Sequence, residues 1–280
     1  MSTRPPPSST PRNLSLYPER PAEPLFTERT PRVVSASKLL RVAGRRKAGR
    51  FLAEGANAAE AALAAGVVEE LYATVDGAER YAAWLPATVA LVTDRAMRGL
   101  SETVTPPGVV AVCRLLDAHD LPADVRLVAV PVDIADPGNA GTVIRVSDAV
   151  GADAVVLAGE SVDPHNGKCV RSSAGSVFHL PLVRRRDAEA VVADLRARGL
   201  TVLATAADGE VSLDDADELL ARPTAWLFGN EAHGLSRELQ TLADHRVRIP
   251  IRGRAESLNL ATAASICLYQ SARVQARSDA

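Results

Sequence analysis

The sequence is poor in cysteine, in long apolar runs and in net charge, and each shortage excludes a class of protein. Its three cysteines lie far apart and form no CxxC pair, so they predict neither a disulfide framework nor a zinc ribbon. No apolar stretch approaches the roughly 18 residues of a transmembrane helix, and no apolar secretory signal follows the N-terminus, so we expect a cytoplasmic protein. The 32 Lys and Arg residues nearly balance 34 Asp and Glu, which excludes a basic coat over the whole surface but not a local basic patch.

Several familiar catalytic motifs are also missing. The sequence has no GxGxxG, no correctly spaced Walker A, no HExxH and no GxSxG motif, which argues against dinucleotide-binding, P-loop, zinc-protease and α/β-hydrolase chemistry. The five histidines show no metal-ligand spacing, so we expect no metal ion.

The composition divides the chain into a tail and two α/β domains. Residues 1–31 hold eight of the 18 prolines and few apolar residues, which predicts a disordered tail. Residues 32–116 and 126–280 alternate helical and strand-like segments, and the polar stretch 117–125 is a candidate linker. In the second domain, strands that are apolar on both faces favour a mostly parallel sheet. They are predicted at 127–134, 154–157, 201–204, 225–228 and 247–251.

A basic segment opens the first domain. Residues 35–49 are predicted to form one short helix with a basic face, and Arg50 follows it. The other cations of this segment are Lys38, Arg41, Arg45, Arg46 and Lys47. The run of three arginines at 184–186 is a second basic patch. A solvated charged face is the ordinary interpretation of each.

Three motifs of the second domain each follow a predicted strand, where open α/β sheets place ligand contacts. They are DPGNAGTVIR at 136–145, LFGNEAHGLS at 227–236 and IPIRGRAESLN at 249–259. The first predicts a turn and a helix beginning near Gly141. The second places Glu231 between two glycines, and the third places Ser257 and Asn259 where the last helix begins. Taken singly, each is also compatible with an ordinary turn, βα loop or helix cap.

In this order and spacing, the three motifs resemble the SPOUT-class RNA methyltransferases of the SpoU/TrmH type. The resemblance covers about residues 33–275. The segments FLAEGANAAEAAL (51–63) and TPPGVVAV (105–112) look like parts of the family's N-terminal substrate-binding domain, which is similar to ribosomal protein L30e. The resemblance implies an α/β catalytic domain with a deep trefoil knot, a homodimer, and methyl transfer from S-adenosylmethionine to a ribose 2′-hydroxyl of structured RNA.

The resemblance also implies that the basic segment from Lys38 to Arg50 binds RNA, with the arginine run at 184–186 as a further candidate, because Lys and Arg neutralise phosphates. It implies the site residues as well. The positions that match the family's catalytic residues are Asn139, Arg145, Glu231, Ser257 and Asn259. Those that match its S-adenosylmethionine pocket are Thr205, Ala206, Gly229, Ile249, Ile251 and Leu258. The family assigns Arg145 the role of base, but a guanidinium is very hard to deprotonate. Our hypothesis is that Arg145 grips the target phosphate and stabilises the developing alkoxide.

Among substrates, 23S ribosomal RNA is favoured, because the N-terminal domain resembles those of rRNA-directed members. A tRNA 2′-O-methyltransferase, a non-catalytic RNA-binding module of the same fold and an unrelated α/β nucleotide-binding enzyme are the alternatives. The intact motifs argue against the non-catalytic module, and the missing glycine fingerprints argue against the unrelated nucleotide-binding enzyme.

Overall fold

The computed structural model describes residues 25–278, which form two sheets with flanking helices. The helices are α1 (Pro31–Ser37), α2 (Val42–Ala48), α3 (Ala56–Ala64), α4 (Val75–Arg80), α5 (Asp94–Gly99), α6 (Pro137–Ala149), α7 (Gly167–Ser172), α8 (Ala188–Ala197), α9 (Asp217–Leu220), α10 (Arg237–Leu242) and α11 (Leu260–Ser278). The strands are β1 (Arg50–Glu54), β2 (Val68–Ala73), β3 (Ala90–Leu91), β4 (Val109–Arg114), β5 (Asp117–Ala118), β6 (Leu127–Pro131), β7 (Ala154–Ala158), β8 (Leu182–Arg185), β9 (Thr201–Thr205), β10 (Val211–Ser212), β11 (Thr224–Phe228) and β12 (His245–Arg248).

The smaller sheet has four strands in the order β1-β4-β2-β3, antiparallel except for the β2–β3 pair. Side chains alternate along its strand β4. Val109 and Ala111 belong to the apolar cluster that contains α3, and Val110 and Val112 to the one that contains α1 and α5. Both faces are therefore buried, which explains why the strand is apolar throughout residues 109–113.

The larger sheet has eight strands in the order β10-β12-β9-β11-β6-β7-β8-β5, and every neighbouring pair is parallel. The central strands β6, β7 and β11 are buried along their whole length, which confirms the predicted α/β class with a parallel sheet. Helices α6 and α11 cover one face, and α8 and α10 the other. On the first face, the buried Trp226 indole N–H donates to Ser271 Oγ at 2.8 Å and ties α11 to β11.

Two ion pairs with buried members join the sheets. The guanidinium of Arg45 on α2 lies 2.7 Å from the Asp163 carboxylate, and its side chain is 4 % exposed. Arg171 of α7 lies 2.8 Å from Glu54, whose side chain is also 4 % exposed. Phe51 of β1 belongs to an apolar cluster that includes residues of the larger sheet. The sheets therefore share one core rather than touching only through a polar surface.

The first described residues differ from the prediction. Residues 1–24 of the predicted tail lie outside the described residues. Residues 25–31, assigned to the same tail, are ordered: the Phe26 N–H donates to Leu91 O at 2.8 Å, and Phe26 O accepts from the Thr93 N–H at 3.0 Å. Phe26 also packs against the apolar cluster under α1. Pro31 opens that helix, where a missing N–H costs nothing.

The prediction of one helix over residues 35–49 is wrong. The chain forms α1 and α2, separated by a 3-10 turn at Lys38–Leu40 and by Arg41 in an extended conformation. The turn and α2 pack so closely that a Cβ on Gly44 would lie 2.0 Å from Lys38 O. Glycine therefore permits a fold-back that a straight helix could not make.

Three further boundaries differ from the prediction. Part of the predicted linker is a strand, because β5 pairs with β8 at the edge of the larger sheet. Strand β12 ends at Arg248, so residues 249–251 lie in a loop. Helix α6 begins at Pro137 rather than near Gly141, because the carboxylate of Asp136 caps it.

The three cysteines are free and fully buried. Cys113 lies in β4, Cys169 in α7 and Cys267 in α11. Burial raises the pKa of the Cys113 and Cys169 thiols to about 12, so these thiols are neutral at physiological pH.

Candidate active site

The first motif forms the N-terminus of α6, directly after the loop that follows β6. Asp136 Oδ1 accepts a hydrogen bond from the Asn139 N–H at 2.8 Å. Pro137 occupies the first helical position, where its fixed φ suits the helix. This cap fixes the orientation of the first turn and thereby presents the Asn139 side chain.

Glu231 connects the second motif to the first. It follows β11, the strand beside β6, and its carboxylate accepts from Asn139 Nδ2 at 3.0 Å. The backbone N–H groups of Ala135 and Asp136 also donate to it, each at 3.1 Å. Burial alone would raise the pKa of Glu231, but these hydrogen bonds outweigh it and hold the pKa below its usual value. The side chain is therefore an anion at neutral pH.

Asn259 brings in the third motif. Its Oδ1 accepts from the N–H groups of Ala261 and Thr262 at 2.9 and 3.2 Å, so it caps α11 as predicted. Its Nδ2 donates to Asn139 Oδ1 at 3.1 Å. One side chain of each motif thus meets in a continuous hydrogen-bonded set of Glu231, Asn139 and Asn259, which we call the amide–carboxylate centre.

Arg145 stands apart from this centre. It lies six residues beyond Asn139 on α6, which places it about 120° around the helix. Its side chain is exposed, and within residues 25–278 no carboxylate pairs with it. A free guanidinium on an exposed helix face can bind an anion that arrives from solution.

A cleft beside the centre collects most of the predicted cofactor residues. Its cavity volume is about 180 Å³. Five of the six predicted residues line it, together with Ser257 and Glu256. These five are Thr205, Ala206, Ile249, Ile251 and Leu258. The cleft lies at the carboxyl ends of β9 and β12, where the topology predicts ligand contacts.

Gly229 is the exception, since it does not line the cleft. A Cβ at this position would lie 2.2 Å from Gly234 C and Leu235 N. Glycine is required here because the loop after β11 folds back onto its own strand end. The same fold-back is stabilised by paired backbone hydrogen bonds between Asn230 and Gly234.

The cleft fits S-adenosylmethionine in its chemistry. The side chains of Ile249, Ile251 and Leu258 offer apolar surface for an adenine ring. Glu256 is the one acidic side chain lining it, and an acidic side chain suits a cationic ligand. In the part of the chain described, no backbone N–H of 251–258 donates to another backbone group, so these donors are available to a ligand.

Lys168 is a neighbour of the centre that the sequence did not reveal. It lies on α7, and its Nζ contacts Asp136 Oδ2 at 2.6 Å. This bond and the Asn139 N–H hold the pKa of Asp136 below its usual value. Since Lys168 is 32 residues from Asp136 in the chain, only the packing of α7 on α6 brings them together.

The predicted RNA-binding cations separate into two with an ion-pair partner and four without one among the described residues. Arg45 is buried, donates to Leu39 O and Leu40 O and pairs with Asp163, so its assignment to an RNA-binding surface is wrong. Arg50 is half-exposed and pairs with Glu69 at 2.6 Å. The others are exposed and have no ion-pair partner among the described residues: Lys38, Arg41, Arg46 and Lys47.

Residues 25–278 contain neither a metal-binding cluster nor a membrane-spanning helix. Between residues 25 and 278 there is no group of three or more His, Cys, Asp or Glu side chains placed to hold a metal ion. No helix in that range has the length and apolar character needed to cross a membrane.

Comparison with known families identifies the class. Residues 126–269 match the SpoU rRNA Methylase family, and residues 30–111 match an MRM3-like substrate binding domain. The chain therefore belongs to the SpoU rRNA methylase family, S-adenosylmethionine-dependent RNA methyltransferases.

Individual relatives agree with this. RlmP of Bacillus subtilis (strain 168), a 23S rRNA (guanosine(2553)-2′-O)-methyltransferase, is 36% identical over 228 residues, covering 80% of this chain and 89% of that protein. The SpoU methyltransferase AviRb from Streptomyces viridochromogenes, solved with AdoMet, has a TM-score of 0.77 and 32% identity, covering 88% of this chain and 98% of that one. An AdoMet-bound rRNA methyltransferase from Sinorhizobium meliloti has a TM-score of 0.77 and 33% identity, covering 87% and 94%.

Proposed function

We propose that this protein transfers a methyl group from S-adenosylmethionine to a ribose 2′-hydroxyl of 23S rRNA. The observation that carries the proposal is the meeting of three distant motifs at Asn139, beside a cleft lined by five predicted cofactor residues. The relatives named above, which act on 23S rRNA or hold AdoMet, support both the substrate and the cofactor. Action on rRNA also implies a cytoplasmic enzyme.

The cleft residues would hold the cofactor, with Ser257 shaping the wall nearest the centre. When bound, S-adenosylmethionine supplies a methyl group on a sulfonium, which is already a good leaving group, so no metal ion is required. The remaining task of the protein is to place a poorly acidic hydroxyl in line with that methyl group and to assist loss of its proton.

Arg145 carries the electrostatic part of this task. Its exposed, unpaired guanidinium would bind the phosphate beside the target ribose and stabilise the developing alkoxide. A phosphate oxygen or a water molecule would accept the proton, since arginine cannot. Asn139 orients the ribose, and Glu231 keeps Asn139 in place by accepting its amide N–H.

RNA binding would come from the smaller sheet and its helices, an L30e-like unit within residues 32–116. Lys38, Arg41, Arg46 and Lys47 would contact phosphates, and Arg50 would add to them when RNA competes with its carboxylate partners. RNA loops and bulges are the usual targets of sequence-specific recognition.

We further propose that residues 126–280 contain the deep trefoil knot, made by the last strands and α11. The enzyme would act as a homodimer through α11. The half-exposed Ile266 and the 66 % exposed Tyr269 on this helix support the dimer, because large apolar side chains in a solvated face favour association.

The test is methyl transfer from labelled S-adenosylmethionine to unmodified large-subunit rRNA, small-subunit rRNA and bulk tRNA. We expect label in 23S rRNA alone and a loss of roughly 100- to 1,000-fold in Arg145→Ala. Because Arg145 is exposed, that variant should retain its Tm and its affinity for S-adenosylmethionine. Label in tRNA alone would contradict 23S rRNA as the substrate. Failure to bind S-adenosylmethionine would contradict the proposed methyltransferase activity.

A further inference from the structure

Lys168 lies at the edge of the amide–carboxylate centre, and its single contact there leaves part of its hydrogen-bonding capacity unused. Its Nζ contacts Asp136 at 2.6 Å, yet 55 % of its side chain is exposed. An ammonium group has three N–H donors, and this contact uses one. Two donors therefore remain for other acceptors, beside the residue that caps helix α6.

Gly138 lies against the Lys168 side chain and leaves no room for a side chain of its own. A Cβ on Gly138 would lie 3.0 Å from Lys168 Cε and 3.4 Å from its Nζ, tighter than ordinary packing. It would also lie 2.7 Å from Asp136 Oδ1. Glycine at this position thus leaves room for the lysine stem and for the Asp136 cap together.

Lys168 and Arg145 stand on the same side of α6. Gly138 and Arg145 are seven residues apart and so lie on one helix face, roughly 10 Å apart along the axis. Gly141, on the same face, packs directly on α7, where its Cβ would lie 2.0 Å from Ser172 Oγ. Lys168 therefore lies beside the first turn of this face, and Arg145 lies about two turns further along it. Both cations can contact the backbone of one RNA strand that runs along α6.

We propose that Lys168 is a second RNA-binding cation beside α6, which binds a backbone phosphate of the same RNA strand as the one held by Arg145. Asp136 holds the ammonium group in place before RNA arrives. The inference rests on the proposed function, because it assumes an RNA strand across α6. The competing role is purely structural, in which Lys168 only neutralises Asp136.

Salt dependence separates the two roles. Each phosphate contact contributes about 0.7 to the slope of log affinity against log salt for a single strand. In Lys168→Gln we expect that slope to fall by about this amount and RNA binding at low salt to weaken roughly tenfold. Lys168→Arg should restore both, and S-adenosylmethionine affinity should not change. An unaltered slope in Lys168→Gln would overturn the inference.

A double variant gives an independent answer. Asn is as good a helix cap as Asp, so Asp136→Asn removes the charge while keeping the cap. If Lys168 only neutralises Asp136, adding Asp136→Asn to Lys168→Gln will restore RNA binding. We expect no restoration, because the phosphate contact is still missing.

Amine footprinting tests the contact without any variant. Lys38, Lys47 and Lys168 are the only lysines of the chain. We expect unmodified 23S rRNA transcript to protect Lys168 from an amine-reactive reagent, read by mass spectrometry. Protection of Lys38 and Lys47 without Lys168 would overturn this inference while leaving RNA binding intact. Protection of none, with no methyl transfer, would overturn the proposed function as well.

Discussion

The two sheets place their functional side chains by different rules. In the larger sheet, all neighbouring strands are parallel, so polar residues that follow different strands emerge at one edge. In the smaller unit, the candidate residues lie on short helices and turns, where neighbours in sequence can face opposite ways. Arg45 is buried against Asp163, whereas Arg46 beside it is exposed.

The comparison shows what a motif can and cannot convey. A motif at a strand end carries positional information, because the topology of the sheet fixes where that end lies. A run of cations on a helix does not show which member is buried. Substitutions at the strand ends of the larger sheet should therefore lower catalysis. Substitutions in the smaller unit should lower either stability or RNA affinity, depending on the residue.

The largest expected effect is on stability, in Arg45→Ala. Removing Arg45 leaves the largely buried Asp163 carboxylate with the hydrogen bond from the His165 N–H but without its guanidinium partner. Breaking a buried ion pair in this way costs about 3–5 kcal/mol. Urea unfolding of Arg45→Ala and of its matched control Arg46→Ala should differ by most of this amount, since exposed substitutions stay within about 0.5 kcal/mol. Equal stabilities in the two variants would show that the junction is not held by this pair.

Next in size is the catalytic effect of Asn139→Ala. This change removes the links to both Glu231 and Asn259, and a misplaced substrate can cost about 100-fold in rate. We expect kcat to fall by that order while S-adenosylmethionine affinity stays constant, because Asn139 does not line the cleft. Thr142→Ala is the control, since Thr142 Oγ1 contacts only Gly138 O of its own helix. A fall in cofactor affinity that matches the fall in rate would contradict this assignment.

A smaller effect is expected from acid. The pKa of Glu231 is lower in the folded protein than its usual value of 4.5. Its stabilising contribution is therefore complete above that value and is lost as the pH falls through the lowered pKa. The Tm difference between the wild type and Glu231→Gln should shrink as the pH is lowered from 6 to 3. A difference that stays constant over this range would rule out an ionised Glu231 as its source.

The smallest expected effect is on RNA binding by one surface cation. Arg46→Ala should weaken RNA binding slightly and reduce the salt slope by about 0.7–0.9, without a change in Tm. Filter binding across a salt series measures this directly. Wild-type slopes in single variants of Arg41, Arg46 and Lys47 would remove this segment from the RNA-binding surface.

The sequence predicted which residues come together at the centre and in the cleft better than it predicted where helices and strands begin and end. The three motifs point to Asn139, Glu231 and Asn259 as one group. Their side chains meet because the ends of neighbouring parallel strands lie at the same edge of the sheet. The resemblance also indicated five cleft residues, but not that Gly229 serves its own loop. A small residue required for backbone packing looks the same in sequence as one required for a ligand.

Other features could not be read from local patterns. Lys168 reaches Asp136 only because α7 packs on α6. Phe26 is ordered because its backbone pairs with residues 91 and 93, which a count of prolines does not show. The burial of Arg45 depends on Asp163, more than 100 residues away. Each depends on tertiary contact, which overrides local composition.

The reactivity of the three buried thiols can report local opening of the structure. Cys113, Cys169 and Cys267 sit in the smaller sheet, at the junction helix and in the C-terminal helix. A thiol-specific reagent can reach each of them only when its surroundings open. The three reaction rates would therefore rank the opening free energies of these layers, in the unmodified chain and without a foreign probe. Comparing those rates with and without S-adenosylmethionine would show which layer the cofactor stabilises.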